Sequence, residues 1–160
     1  MEMLDKIKNQ IAEFDKKRSD LLSELKKEFA PMLAPLFEKH PKIKKISWCQ
    51  YSPYFNDGDE CVFSVRTDID YGMKINGLSE DDEESNLDWR IKYYLKGDPS
   101  YSNLLTEKPN LDIELYKGAV EFQELIESIP EDFMKDLFGN HVEVTVTSSG
   151  DVTTEEYEHD

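Results

Sequence analysis

The stretch Ile46-Ser-Trp-Cys-Gln-Tyr-Ser-Pro-Tyr-Phe-Asn-Asp-Gly-Asp-Glu-Cys-Val-Phe-Ser-Val-Arg-Thr-Asp-Ile69 constrains this chain more than any other. Two β-prone runs flank Asn56-Asp57-Gly58-Asp59. An Asp-Gly pair in that setting signals a hairpin, because glycine takes the left-handed backbone position without a Cβ clash and Asn or Asp caps the turn. With Asp57-Gly58 as a two-residue loop, Gln50 faces Val65, Ser52 faces Phe63, Tyr54 faces Cys61, Trp48 faces Thr67 and Ile46 faces Ile69. Ile46, Trp48, Tyr54, Cys61, Phe63, Val65 and Ile69 then form an expected core face, and Ser47, Tyr51, Ser64, Arg66 and Asp68 an expected solvated one. A three-residue loop, Asn56-Asp57-Gly58 with a glycine bulge, would shift the register by one. Pro53 cannot donate to a ladder, so the first strand is expected to be irregular or at an edge there.

The same stretch carries a resemblance. Trp48-x-Gln50-Tyr51-x-Pro53-Tyr54-Phe55-Asn56-Asp57-Gly58-Asp59-x-Cys61-x-Phe63 resembles a motif of small acidic proteins encoded by tailed bacteriophages. The run Val142-x-Val144-x-Val146 through Glu155-Glu156-Tyr157-x-His159-Asp160 is similar to the tail end of the same group, and the two segments cover about a quarter of the chain. The resemblance implies a phage origin and a host-cell cytoplasmic setting. It carries over no activity and no catalytic residue.

The net charge of -16 is unevenly placed. Residues 1–45 hold 11 Lys/Arg against 8 Asp/Glu, a net of +3, whereas residues 46–160 hold 8 against 27, a net of -19. Such a body repels nucleic acid and anionic lipid and favours basic protein partners. Direct nucleic-acid binding and membrane association are therefore not expected. The absence of a secretory or spanning apolar run points to a cytoplasmic protein. The two cysteines make no disulfide framework; Cys49 and Cys61 fall on opposite hairpin faces and are read as free thiols. A length of 160 residues suits one domain, with residues 1–40 as a helical arm and 42–160 as an α+β body.

In the arm, Leu4, Ile7, Ile11, Phe14, Leu21, Leu25 and Phe29 recur at steps of three and four, with Arg18 filling the gap. This narrow stripe predicts a helix from Met3 to Phe29, about 40 Å long, packed along the sheet or paired with a second copy as a homodimer. Ala30-Pro31 is expected to end or kink it, since a residue before proline avoids the α region. A short helix with Met32, Leu33, Leu36 and Phe37 should follow and stop before Pro41.

Beyond the hairpin, Tyr71, Met73 and Ile75 keep a period of two, and Asn76-Gly77 is a second turn signal. Leu87, Trp89, Ile91, Tyr93 and Leu95 alternate with Asp88, Arg90, Lys92, Tyr94 and Lys96, which predicts a third strand. Residues 97–111 read as a loop. Leu115, Ala119, Phe122, Ile126 and Ile129 predict an amphipathic helix. Ser128-x-x-Glu131 around Pro130 predicts a capping box opening a short helix that ends at Gly139. Val142, Val144 and Val146 then alternate with polar residues, Ser149-Gly150-Asp151 turns the chain, and Val152 to Tyr157 should return. The fold class is α+β: a long N-terminal amphipathic helix and one or two shorter helices against a mainly antiparallel sheet of four to six strands.

Motifs for chemistry are sparse. His40, His141 and His159 show no zinc spacing, and neither a phosphate loop nor a nucleophile elbow is present. No cofactor is expected. A metal-dependent hydrolase using Asp57, Asp59, Asp68 and Asp70 is the weaker alternative, since turn geometry and an outer strand face already explain those carboxylates. The better lead is aromatic–acidic surface, where rings supply area and charges steer encounter. The candidate partner-binding residues are Tyr51, Phe55, Asn56, Asp57 and Asp59 at the turn, and Glu80, Asp81, Asp82, Glu83 and Glu84 in the densest acidic run. The expected function is non-enzymatic: occlusion of a basic surface on a host protein concerned with defence or nucleic-acid processing, acting even as a DNA mimic. A self-associating structural or accessory protein is the alternative.

Overall fold

The structure is a computed structural model and describes residues 1–54, 58, 60–69 and 72–158. The chain runs α1 (Glu2–Lys39), β1 (Lys45–Tyr51), β2 (Ser64–Arg66), β3 (Lys74–Ile75), α2 (Ile91–Leu95), α3 (Leu104–Glu107), α4 (Ile113–Glu127), α5 (Glu131–Phe138), β4 (Val142–Thr147) and β5 (Val152–Glu156). Single 3-10 turns occupy Glu83–Ser85 and Pro99–Tyr101. The sheet is antiparallel with order β2-β1-β4-β5, and β3 joins β1 beyond β2. The expected α+β class is thus observed. No helix among the described residues is long and apolar enough to cross a membrane.

Strand β1 is the hub. Ile46, Trp48 and Gln50 point to one face and are wholly buried. They meet Phe29, Leu33 and Phe37 of α1, Ala119, Phe122 and Ile126 of α4, Met134 and Leu137 of α5, and Val144 and Val146 of β4 in a single core. Phe29 packs against Trp48 at 5.9 Å and edge-on against Phe138 at 5.0 Å. Gln50 is polar inside this core, yet its groups are satisfied. Nε2 donates to the Met134 and Gly139 carbonyls at 2.8 Å, and Oε1 accepts from the Trp48 indole at 3.1 Å. The amide thereby ties β1 to the C-terminal end of α5, and its own buried polar atoms are all satisfied.

Where β1 and β2 pair, the register is the one expected for a two-residue loop, with Cys49 opposite Arg66, Gln50 opposite Val65 and Tyr51 opposite Ser64, while Asn56, Asp57 and Asp59 of the expected turn lie outside the described residues. The ladder is much shorter than expected. Trp48 does not face Thr67, nor Ile46 Ile69; Ile46 pairs with Ile75 and Ser47 with Lys74 instead. After Arg66 the chain leaves the sheet, turns where Gly72 and Met73 donate to the Asp68 carbonyl, and returns as β3. Gly72 is required there, because a Cβ would sit 2.4 Å from the Arg66 carbonyl oxygen. Tyr54 and Cys61 also fail to join the core face; both are exposed. Neither cysteine is in a disulfide. Asn76-Gly77 does form the second turn, with both residues at positive φ and Ile75 and Leu78 bonded across it.

Helix α1 corrects a second expectation, since it passes through both Pro31 and Pro35 without ending. Each proline removes one backbone bond at about 3 kcal/mol or more. Both prolines are exposed, so neither ring enters the core. Phe29, Leu33 and Phe37, four residues apart, are buried on one line. At about 1.5–3 kcal/mol each, their burial is of the size needed to offset the lost bonds.

Residues 87–96 are not a strand. Leu87 and Ile91 are buried, whereas Trp89, Tyr93 and Leu95 are exposed, so the burial period is four rather than two. The alternation in the sequence was coincidental with a turn and α2. The loop expected at residues 97–111 contains the Pro99–Tyr101 turn and α3. Helices α4 and α5 stand where expected, but no capping box opens α5. Ser128 Oγ donates back to the Leu125 carbonyl, and Glu131 accepts from the Val65 amide at 2.7 Å. Glu131 thereby holds α5 to β2.

Candidate functional site

Two candidate surfaces were legible in the sequence, and the structure treats them differently. Tyr51 ends β1, is half-buried, packs against Tyr157 at 5.6 Å and lies under the Arg66 guanidinium at 4.8 Å. It braces the outer sheet face. Phe55, Asn56, Asp57 and Asp59 lie outside the described residues, as do Asp70 and His159. Among the described residues no group of three or more His, Cys, Asp or Glu side chains is arranged to hold a metal ion.

The acidic run Glu80–Glu84 is better placed. It follows β3, which pairs with the opposite end of β1 from Tyr51, so the two predicted surfaces are not brought together by the sheet. Asp82 accepts from the Ser79 amide at 3.0 Å and opens the Glu83–Ser85 turn. Asn86 ends that turn in the left-handed conformation (φ 59°). Buried Ser85 and Leu87 then pin the segment to the body. Asp81, Asp82, Glu83 and Glu84 remain exposed and Glu80 is half-buried.

Glu80, Asp81 and Glu83 line an open cleft of about 570 Å³ together with Asp88, Trp89, Arg90, Glu107 and Lys108. The cleft is organised by Asp88. Its carboxylate is nearly buried and accepts from the Arg90 amide and Nε at 2.9 Å, from Arg90 Nη2 at 2.8 Å and from Lys108 Nζ at 3.1 Å. The Arg90 guanidinium holds the Asp88 carboxyl well below the usual carboxylate range, against the opposing effect of burial, with the Arg90 amide and Lys108 adding to the lowering. Arg90 and Lys108 are the cations that line this cleft, and both are committed to Asp88. Together with Asp88 they leave one positive charge among the carboxylates Glu80, Asp81, Glu83 and Glu107 that line the same cleft.

Three rings complete the face. Trp89 meets Tyr93 edge-on at 5.9 Å and Tyr101 edge-on at 5.8 Å, while Tyr93 and Tyr101 stack at 5.4 Å. Trp89 and Tyr93 are one helical turn apart, and Tyr101 is delivered by the Pro99–Tyr101 turn, where the Asp98 carboxylate accepts from the Ser100 amide at 2.9 Å. Trp89 is 43% exposed and Tyr93 37%. Neighbouring rings hold these side chains in place while leaving their outer edges to solvent, an arrangement suited to contact with little ordering cost.

Sequence reasoning missed Trp89, Tyr93, Tyr101, Arg90 and Lys108. Reading residues 87–96 as a strand turned Trp89 and Tyr93 toward the core. The available signals were the helical Trp89/Tyr93 spacing and the Asp98-Pro99 turn start that ends α2. The Asp88–Lys108 contact had no local signal.

Compared with protein-family models, with curated proteins and with solved structures, the chain matches none.

Proposed function

We propose that this is a non-enzymatic protein that binds another protein through the face formed by Trp89, Tyr93, Tyr101 and the Glu80–Glu84 run. The observation that carries the reading is the lining of one cleft by exposed Trp89 and by acidic side chains, Glu80, Asp81, Glu83, Asp88 and Glu107, that outnumber the basic Arg90 and Lys108. Tryptophan and tyrosine are the commonest anchors of protein interfaces, and an acidic surround selects a basic partner and speeds encounter. Occlusion of that basic surface is the mechanism. With the phage-like motif at Trp48–Phe63, the partner is a host protein of defence or nucleic-acid processing. The carboxylates would stand in for phosphates if the occluded surface binds nucleic acid.

The test is a tagged pull-down from bacterial lysate at low and high salt, run in parallel with Trp89→Ala. A single stoichiometric partner is expected. It should be lost at high salt, because the screening length falls from about 8 Å at physiological ionic strength to about 3 Å at 1 M. In the variant its affinity should fall by about 2 kcal/mol, roughly 30-fold. A partner bound equally by Trp89→Ala would refute this face, and binding that persists unchanged at high salt would refute mimicry.

A second reading, self-association, is favoured by a separate observation. Every residue from Met1 to Lys17 of α1 is exposed, its apolar stripe included.

A further inference from the structure

Body contacts on α1 begin at Arg18. Its guanidinium bonds Asp136 and lies 5.2 Å from the Phe133 ring centre. From Leu22 onward the helix packs into the core. On the N-terminal side, Leu4 (44% exposed), Ile7 (47%), Ile11 (56%), Phe14 (65%) and, one turn past Arg18, Leu21 (46%) stay open to solvent. Their spacing of three, four, three is the seam of a two-helix coiled coil, in which apolar positions recur every 3.5 residues. A lone helix of this kind is marginal in water, because tertiary packing supplies most helical stability. The seam calls for a cover, and the chain carries a complementary one in itself.

We infer that two copies of this chain pair through their arms in antiparallel fashion, with Leu4 of each against Leu21 of the other, Ile7 against the Arg18 stem, and Ile11 against Phe14. This inference rests on the self-association reading and adds its orientation. Charge decides between the arrangements. In the antiparallel pairing Lys8 lies beside Asp15 of the second copy, and Asp15 beside its Lys8, on the flank of the seam. Sliding that pairing by a heptad in either direction sets Lys8 against Lys8 or Asp15 against Asp15. A parallel pairing brings Lys8 to Met3 and Asp15 to Gln10, forms no opposite-charge pair, and stacks Arg18 on Arg18 in one layer. Like charges in such positions specify against an arrangement as effectively as opposite charges specify for one. The antiparallel pairing also sets the two acidic bodies at opposite ends of a shared rod about 27 Å long (18 residues at 1.5 Å each), where their repulsion is smallest.

The experiment is sedimentation equilibrium over a concentration series on the full chain, Lys8→Glu, Asp15→Lys and the double variant. All changes fall at exposed positions outside the core. The full chain is expected at twice its 18.7 kDa mass. Either single reversal should raise the dissociation constant about tenfold, since two symmetric pairs turn repulsive. The double variant should return to within about threefold of the parent. A monomer at all concentrations overturns the dimer and the self-association reading with it. A dimer indifferent to both single reversals overturns the antiparallel register and leaves self-association standing. Neither result bears on Trp89, so the partner-binding face fails or stands on its own test.

Discussion

The two halves of helix α1 have the same periodicity and opposite environments. Phe29, Leu33 and Phe37 are buried beneath the sheet, whereas Leu4, Ile7, Ile11 and Phe14 lie in solvent. An apolar stripe therefore records that a face is meant to be covered, but says nothing of the cover. In the C-terminal half the cover is α4, α5 and β1 of the same chain. In the N-terminal half no described residue of the body covers it.

That contrast can be broken most sharply by cutting matched side chains. Leu33→Ala should cost about 3 kcal/mol in urea unfolding, since Leu33 is wholly buried and leaves a cavity. Ile11→Ala, measured below the concentration at which copies associate, should stay within about 0.5 kcal/mol. Equal losses would mean that the arm is folded onto its own body.

Acid should act on the body through Asp88. The folded carboxyl is held below its unfolded value of about 3.9, so its stabilisation is present above that pH and is lost as pH falls toward the folded value. Asp88→Asn should cost about 2 kcal/mol at neutral pH, because Arg90 and Lys108 lose a charged acceptor. The gap between variant and parent should narrow below about pH 4, as thermal unfolding across a pH series will show. A gap that is constant with pH would exclude a charge effect.

Arg18 marks the boundary between the halves. Arg18→Ala should cost about 1 kcal/mol through its cation–π and partly exposed ion-pair contacts, and should free the next helical turn to exchange its amides faster. The smallest effect belongs to the arm itself. Removal of residues 1–17 should change the unfolding free energy of the dilute protein by less than about 0.5 kcal/mol, because those residues bury nothing in the body.

The sequence by itself determined what depends on near neighbours. The hairpin register over Cys49–Tyr51 followed from Asp57-Gly58 and the pairing rule of antiparallel strands. The Asn76-Gly77 turn, α4, and the β4–β5 pair followed likewise, because local geometry and periodicity are written within a few residues. Tertiary structure decided what depends on distant partners. Pro31 and Pro35 stay inside a helix because Phe29, Leu33 and Phe37 share one core. β3 displaces the expected hairpin end because Ile75 finds Ile46. The candidate cleft takes its form where Asp88 accepts from Lys108, 20 positions along the chain. A long-range contact of that kind leaves no local period in the sequence, since its energy is released only once the fold brings the partners together.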